Sequence, residues 1–159
     1  GVLQRARAQL ERVAPAEDEI HEPADPGDRA LLGRYAAAFE NADITALMQL
    51  LRDDAVFEMP PIPTWFTGRE LIGRFLQTWV LSQPGDFRMI PTAANGQPAL
   101  AAYMRGHDGV HHAHGIQVLT TAMSRVTRVV SFNDPGLVAM FGLPQALPAA
   151  PTAAPARRR

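Results

Sequence analysis

Residues 35–60 decide the fold of this chain, and they read YAAAFENADITALMQLLRDDAVFEMP. Their first part continues an apolar stripe at the spacing of one helix face, formed by Leu31, Leu32, Tyr35 and Phe39. Asp28 stands where an N-cap belongs, so we predict a helix that begins there. Asp43 caps a second, short helix, and Asp53–Asp54 turns the chain into a strand, Ala55–Met59.

The sequence that follows predicts one more helix and then a sheet. Thr67 and Glu70 have the spacing of a capping box for a helix that runs to about Ser82. Beyond it, period-two alternation predicts strands at 87–94, 98–105, 110–123 and 126–133, with Asn95–Gly96 as a hairpin turn and a last helix from Asp134 to about 141. We therefore predict an α+β, cone-shaped fold with three N-terminal helices packed on a curved antiparallel sheet.

The composition along the sequence divides the chain into four segments. Residues 1–13 read as a helix, and 14–27 as an acidic, proline-containing linker that cannot bury a core. The folded domain is expected at 28–143. Residues 144–159 are rich in Pro and Ala, so we expect a disordered tail.

The overall composition restricts the functional class. The 159 residues contain no Cys, which excludes disulfides and thiolate metal sites, and the net charge of -1 is not that of a nucleic-acid-binding protein. No apolar run reaches the roughly 20 residues of a membrane span. We expect a cytoplasmic protein without membrane contact and, because no Met begins the chain, a fragment of a longer one.

The stretch from Tyr35 to Pro60, together with Gly68-Arg69-Glu70, resembles the SnoaL-like and steroid-isomerase-like (NTF2-like) superfamily. The likeness covers roughly residues 28–141. It implies the conical fold with a cavity. It does not imply one function, because this fold hosts isomerases, cyclases, dehydratases and non-catalytic binding domains.

Two further stretches resemble one group of transcription factors. Leu3–Leu10 (LQRARAQL) is similar to the end of the region 4 recognition helix of extracytoplasmic-function sigma factors, and Phe57–Arg69 resembles the SnoaL-like extension of actinobacterial SigG-type sigma factors. The resemblance implies a regulatory domain with sigma regions 2 and 4 of the same chain, the RNA polymerase core and promoter DNA as partners. Arg5 and Arg7 are then DNA-contact candidates, although this part alone should bind DNA only weakly.

The rival hypothesis is a small-molecule isomerase or cyclase, which needs a carboxylate base and oxyanion donors. Tyr35 matches the donor Tyr that the resemblance implies. Met59 stands where that family has its base Asp, and no Asp or Glu lies between Gly109 and Asn133. Glu58 should face the opposite side of the strand. We therefore expect no catalytic residue and no enzymatic activity.

A ligand pocket is the remaining candidate site. Its candidate lining residues are Tyr35, Phe39, Phe57, Met59, Trp65, Phe66, Trp79, Tyr103, His112 and His114. They would take a small apolar ligand, which makes ligand sensing a third hypothesis, although each fits ordinary core packing as well. His112 and His114 should share a strand face, where such a pair could act as a base or ligate a metal. No third ligand with metal spacing accompanies them, so we expect no metal and no cofactor.

Overall fold

The computed structural model describes Gln4, Arg5, Ala8 and residues 25–149. Gln4, Arg5 and Ala8 are helical. The helices are α1 (Pro26–Glu40), α2 (Ile44–Leu50), α3 (Arg69–Trp79) and α4 (Pro135–Met140). The strands are β1 (Leu51–Glu58), β2 (Trp65–Thr67), β3 (Phe87–Ala94), β4 (Gln97–Arg105), β5 (His111–Ala122), β6 (Arg125–Phe132) and β7 (Ala146–Leu147). Three helices thus precede the main run of strands, and the predicted α+β class is confirmed.

The helix starts differ from prediction at two of four places, since Asp134 caps α4 as predicted. Asp43 caps α2, as predicted, by accepting a hydrogen bond from the Ala46 N–H. Helix α1 begins earlier, because Asp25 caps it and proline is favoured in the first turn; Asp28 instead accepts a hydrogen bond from Thr121 Oγ1 at 2.9 Å. Helix α1 therefore includes Pro26 and Gly27, two residues that were predicted to belong to the linker.

Helix α3 lacks the predicted capping box. Thr67 is the last residue of β2, and Gly68, at φ 94°, is the N-cap without a side-chain hydrogen bond. The pairing of β2 with β1 holds Thr67 in the sheet, so its hydroxyl does not cap the helix. Glycine tolerates the positive φ that the sharp change of direction requires.

In the described residues, the sheet is curved and unclosed, with the order β2-β1-β6-β5-β4-β3 and with β7 added to β5. Strands β3 to β6 form the predicted meander, and Asn95–Gly96 turns its first hairpin with positive φ at both residues. The prediction of a wholly antiparallel sheet is wrong at one pair, since β1 runs parallel to β6. The chain between them supplies the long crossover that a parallel pair needs.

The sheet separates two cores. Its concave face packs on α1, α2 and α3 through large side chains such as Leu31, Phe39 and Leu76. Its other face packs on α4 through Ile116, Phe132 and neighbouring side chains. The helices therefore close one side of the sheet, which is the arrangement that places a cavity between them.

The expectation of a disordered tail is wrong for its first residues. Strand β7 pairs with His111 and His112, and the Gln145 carbonyl accepts a hydrogen bond from the Ala113 N–H at 2.8 Å. Strand β6 ends opposite Ile116, so the start of β5 has a free edge that this segment fills. Residues 150–159 lie outside the described range. Within that range, no helix is long and apolar enough to cross a membrane.

Candidate functional site

A small cavity lies between the helices and the concave face of the sheet. Its volume is about 60 Å³, and its lining residues are Phe39, Phe57, Met59, Phe75, Val80, Phe87, Ala102, His114, Gln117, Ser131 and Asn133. Four of the residues that the sequence nominates therefore meet here: Phe39, Phe57, Met59 and His114. A space of this size holds no more than a few water molecules.

Tyr35 lies in the wall behind this cavity. Its ring stacks on Phe39 with centroids 6.0 Å apart, and its hydroxyl donates a 3.0 Å hydrogen bond to Gln117 Oε1. Tyr35 is 1% exposed and Gln117 4% exposed. Burial raises the pKa of the Tyr35 phenol well above its usual value, so this group stays neutral.

A β-bulge turns His114 into the cavity. The register of β4 and β5 shifts by one residue between Ala102 and Tyr103, which leaves His114 as the extra residue of β5. Its ring meets Phe87 edge-on, with centroids 5.8 Å apart. Burial lowers the pKa of His114, because the apolar surroundings disfavour the charged imidazolium.

His112 does not line the cavity. It is exposed, and its Nε2 lies 2.8 Å from Asp108 Oδ2 at the mouth of the β4–β5 turn. The hydrogen bond to His112 lowers the pKa of the Asp108 carboxyl. The neighbouring His111 is buried, with Nε2 2.8 Å from the Gly85 carbonyl oxygen. His112 and His114, which the sequence analysis treated as a pair, therefore have different surroundings.

Tyr103 belongs to the second core and not to the cavity. It is fully buried among the residues that pack on α4, and its hydroxyl donates to the Pro144 carbonyl at 2.8 Å. Ala102, one residue earlier, faces the cavity, so strand alternation sends Tyr103 to the opposite face.

The two tryptophans lie at the surface. Trp65 is 64% exposed and Trp79 is 78% exposed. Trp65 begins β2, a three-residue strand at the edge of the sheet, and Trp79 ends α3. Phe66, between them, stacks on Phe75 with centroids 4.2 Å apart. These side chains form open grooves outside the cone instead of lining its interior.

Three polar residues of the cavity, Gln117, Ser131 and Asn133, were not predicted. Gln117 and Ser131 are buried, and Ser131 Oγ donates to Asn133 Oδ1 at 2.9 Å. Alternation on β5 and β6 places polar residues among apolar ones, and that pattern was the available signal. The lining residues all lie within the described range, and His114 is the one among them with an ionisable side chain.

Two carboxylates, those of Glu58 and Glu40, do not line the cavity and have other hydrogen-bond partners. Glu58 faces the side of β1 opposite the cavity, as strand alternation predicts, and its Oε2 accepts from Arg128 at 2.7 Å. The Glu40 carboxylate accepts from the Met89 N–H at 2.7 Å. In the described part of the chain, no three His, Asp or Glu side chains gather into a group that could hold a metal ion.

Arg5, one of the two DNA-contact candidates, lies beside a second concave surface. With Ala8, Glu58 and residues 60–65, it lines a groove of about 460 Å³. The other candidate, Arg7, lies outside the described residues.

Comparison with known proteins identifies the family. Residues 32–139 match the SnoaL-like domain, and the chain belongs to this family. Over 148 residues, 92% of the chain, it is 45% identical to the ECF RNA polymerase sigma factor SigG of two Mycobacterium tuberculosis strains. The chain spans about 40% of the length of these curated relatives.

Solved structures show the same fold at low identity. A protein of Kribbella flavida, provisionally named a ketosteroid isomerase, has a TM-score of 0.54 at 24% identity, with 84% of this chain and 89% of that chain covered. An NTF2-like protein of unknown function from Burkholderia xenovorans has a TM-score of 0.54 at 15% identity, with 72% and 92% covered. These likenesses establish the fold and leave the activity open.

Proposed function

We propose that this chain is the regulatory C-terminal domain of an extracytoplasmic-function sigma factor. It acts in the cytoplasm, where it contacts sigma regions 2 and 4 of its own polypeptide and tunes how RNA polymerase engages promoter DNA. The observation that carries this proposal is the 45% identity over 148 residues, which extends well outside the family match at 32–139. A shared SnoaL-like fold alone would account for the matched stretch 32–139 and not for the residues beyond it.

The small volume of the cavity favours a function in protein docking over one in sensing a small ligand. Its volume of about 60 Å³ is below the roughly 300 Å³ at which ligand pockets for drug-sized molecules begin. Four phenylalanines and Met59 line the cavity. We therefore propose that the domain regulates through its outer surface and that the cone serves as a core.

The second candidate function is an isomerase or cyclase, which the fold neighbours and the position of Tyr35 favour. Two observations weigh against it. The Tyr35 hydroxyl is already bonded to Gln117, and Met59 lines the cavity where the family resemblance places the base. Proton abstraction needs a base within hydrogen-bond reach of the substrate, and His114 is the remaining candidate there.

In vitro transcription tests the proposal. The full-length sigma factor and a variant that lacks residues 28–149 are each combined with core RNA polymerase on a cognate promoter. We expect the deletion to change the rate of promoter-specific initiation while core binding persists. Equal initiation by the two proteins at equal core occupancy would refute the regulatory role.

A further inference from the structure

An exposed apolar surface lies outside the cone, on the loop between β1 and β2. We call it the proline-loop surface; it consists of Pro60, Pro61, Ile62, Pro63, Thr64 and Trp65. Ile62 is 54% exposed and Trp65 is 64% exposed. Large apolar side chains exposed together are a common mark of a protein interaction site. Tryptophan is also one of the residue types enriched among those that dominate interface energies.

The proline-loop surface is fixed before any partner arrives. The Ile62 N–H donates to the Met59 carbonyl at 2.9 Å, and Trp65 pairs with Glu58 across β1 and β2. Proline rings restrict the remaining backbone torsions. Because little conformational freedom is left to lose, docking on this surface costs little ordering entropy.

One segment of the chain already lies against this surface. Arg5 and Ala8, from the N-terminal helix, form one wall of the 460 Å³ groove, and residues 60–65 form the other. Glu58, at the same groove, is paired with Arg128 at 2.7 Å, so its carboxylate is satisfied. The first described residues of the chain therefore lie at the edge of the groove.

We propose that the proline-loop surface is the docking site for the helical DNA-binding region that precedes residue 4 in the full-length sigma factor. The inference rests on the proposed function and names the surface that carries it. The relatives are long enough to supply the occupant, since this chain spans about 40% of their length. Docking at Ile62 and Trp65 fixes the orientation of the DNA-binding region relative to the SnoaL-like domain.

The chain offers a matched control for this surface. Trp79 is 78% exposed and lies in a separate groove whose lining residues all fall between Phe66 and Trp79. Thr78 lines that groove and Thr64 lines the proline-loop groove, and both threonines are exposed. The same substitution can therefore be made on both surfaces, so that the two variants differ in location and very little in chemistry.

Site-directed cross-linking tests the inference in the full-length sigma factor. This chain has no Cys, so Thr64→Cys adds one thiol to it for a benzophenone maleimide, after any upstream cysteines have been replaced by serine. We expect adducts from position 64 to map to the helical region upstream of residue 4, and Thr78→Cys to give none there. Adducts from position 64 that map only to RNA polymerase, to a second copy or to residues after 25 would overturn the inference.

Substitution of the anchors gives a second readout. We expect Trp65→Ala combined with Ile62→Ser to reduce the position 64 adduct at least about tenfold, because a buried tryptophan anchor usually dominates such an interface. Trp79→Ala should leave the adduct unchanged, and thermal melting should show that each variant is folded. An unchanged adduct in the folded double variant would contradict the proposal. If removal of residues 28–149 alters transcription but no upstream adduct forms, the docking site is wrong and the regulatory function stands.

Discussion

The Tyr35 hydroxyl on α1 donates a 3.0 Å hydrogen bond to Oε1 of Gln117 on β5, and both side chains are buried. The bond joins the helical layer to the concave face of the sheet across 82 residues of sequence. The resemblance to steroid isomerases implies a tyrosine at this position that donates to a substrate. Here the donor is satisfied within the domain, which fits a structural role for Tyr35.

The first prediction concerns this bond. Tyr35→Phe keeps the ring and its stacking on Phe39 but leaves the buried Gln117 carbonyl without its donor. We expect the free energy of unfolding to fall by about 1–3 kcal/mol, the usual cost of an unsatisfied buried polar group. Urea unfolding followed by circular dichroism measures the change.

A double-mutant cycle separates the hydrogen bond from general packing. Gln117→Leu removes the acceptor, so Tyr35→Phe in that background should cost clearly less than in the wild type. If the losses in free energy of unfolding from the two single substitutions simply added in the double variant, the bond would not contribute to stability.

The second prediction concerns the close approach of two strands. A Cβ atom at Gly115 would lie 2.0 Å from the Phe132 carbonyl oxygen and 2.9 Å from Asn133 Cα. Both are backbone atoms and cannot rotate away. We expect Gly115→Ala to lower the free energy of unfolding by more than about 2 kcal/mol, because β5 and β6 must separate.

Gly33→Ala is the matched control. Gly33 lies on the exposed face of α1, and a Cβ there would meet nothing within 4 Å. We expect this variant to gain about 0.5–1 kcal/mol, since alanine loses less backbone entropy in a helix. If the two variants had similar stability, the strand packing described for Gly115 would be incorrect.

The third prediction concerns pH. Burial lowers the pKa of His114 in the folded protein, so the unfolded chain binds more protons once the pH falls below about 6.5. The contribution of His114 to stability is therefore complete above that pH and declines as the pH falls towards the folded-state pKa. We expect His114→Gln to flatten the loss of stability between pH 7 and pH 5.

His107→Gln is the control for that measurement, because His107 lies exposed in the turn between β4 and β5. Urea unfolding at several pH values should give the wild-type slope for this variant. A wild-type slope for His114→Gln as well would show that other groups cause the acid sensitivity.

The fourth prediction concerns catalysis. We expect no turnover in proton-exchange or isomerisation assays on steroid and polyketide-like substrates, because Met59 cannot accept a proton. Met59→Asp places a carboxylate at the cavity and is the variant to compare. Turnover by the wild type that His114→Ala abolishes would establish the enzyme hypothesis. Turnover by Met59→Asp alone would identify the missing base as the reason for inactivity.

Local patterns predicted much of this fold. The apolar stripe through Leu31, Tyr35 and Phe39 predicted α1, and the alternation after Phe87 with the turn at Asn95–Gly96 predicted the β3–β4 hairpin. These features depend on neighbours three or four residues apart in a helix, or two apart in a strand, so a single sequence contains them. The side of β1 that Glu58 occupies followed from the same alternation.

The tertiary structure decided what depends on distant partners. The parallel pairing of β1 with β6 and the addition of β7 to β5 join segments that local periodicity treats separately. The extra residue in β5 turned His114 inward, and the edge position of β2 left Trp65 exposed. By itself the sequence determined which side chains are apolar, which are charged and which helices and strands form. Which of those side chains enclose a cavity and which remain on the surface depended on register and strand order, because these are set by contacts across the whole fold.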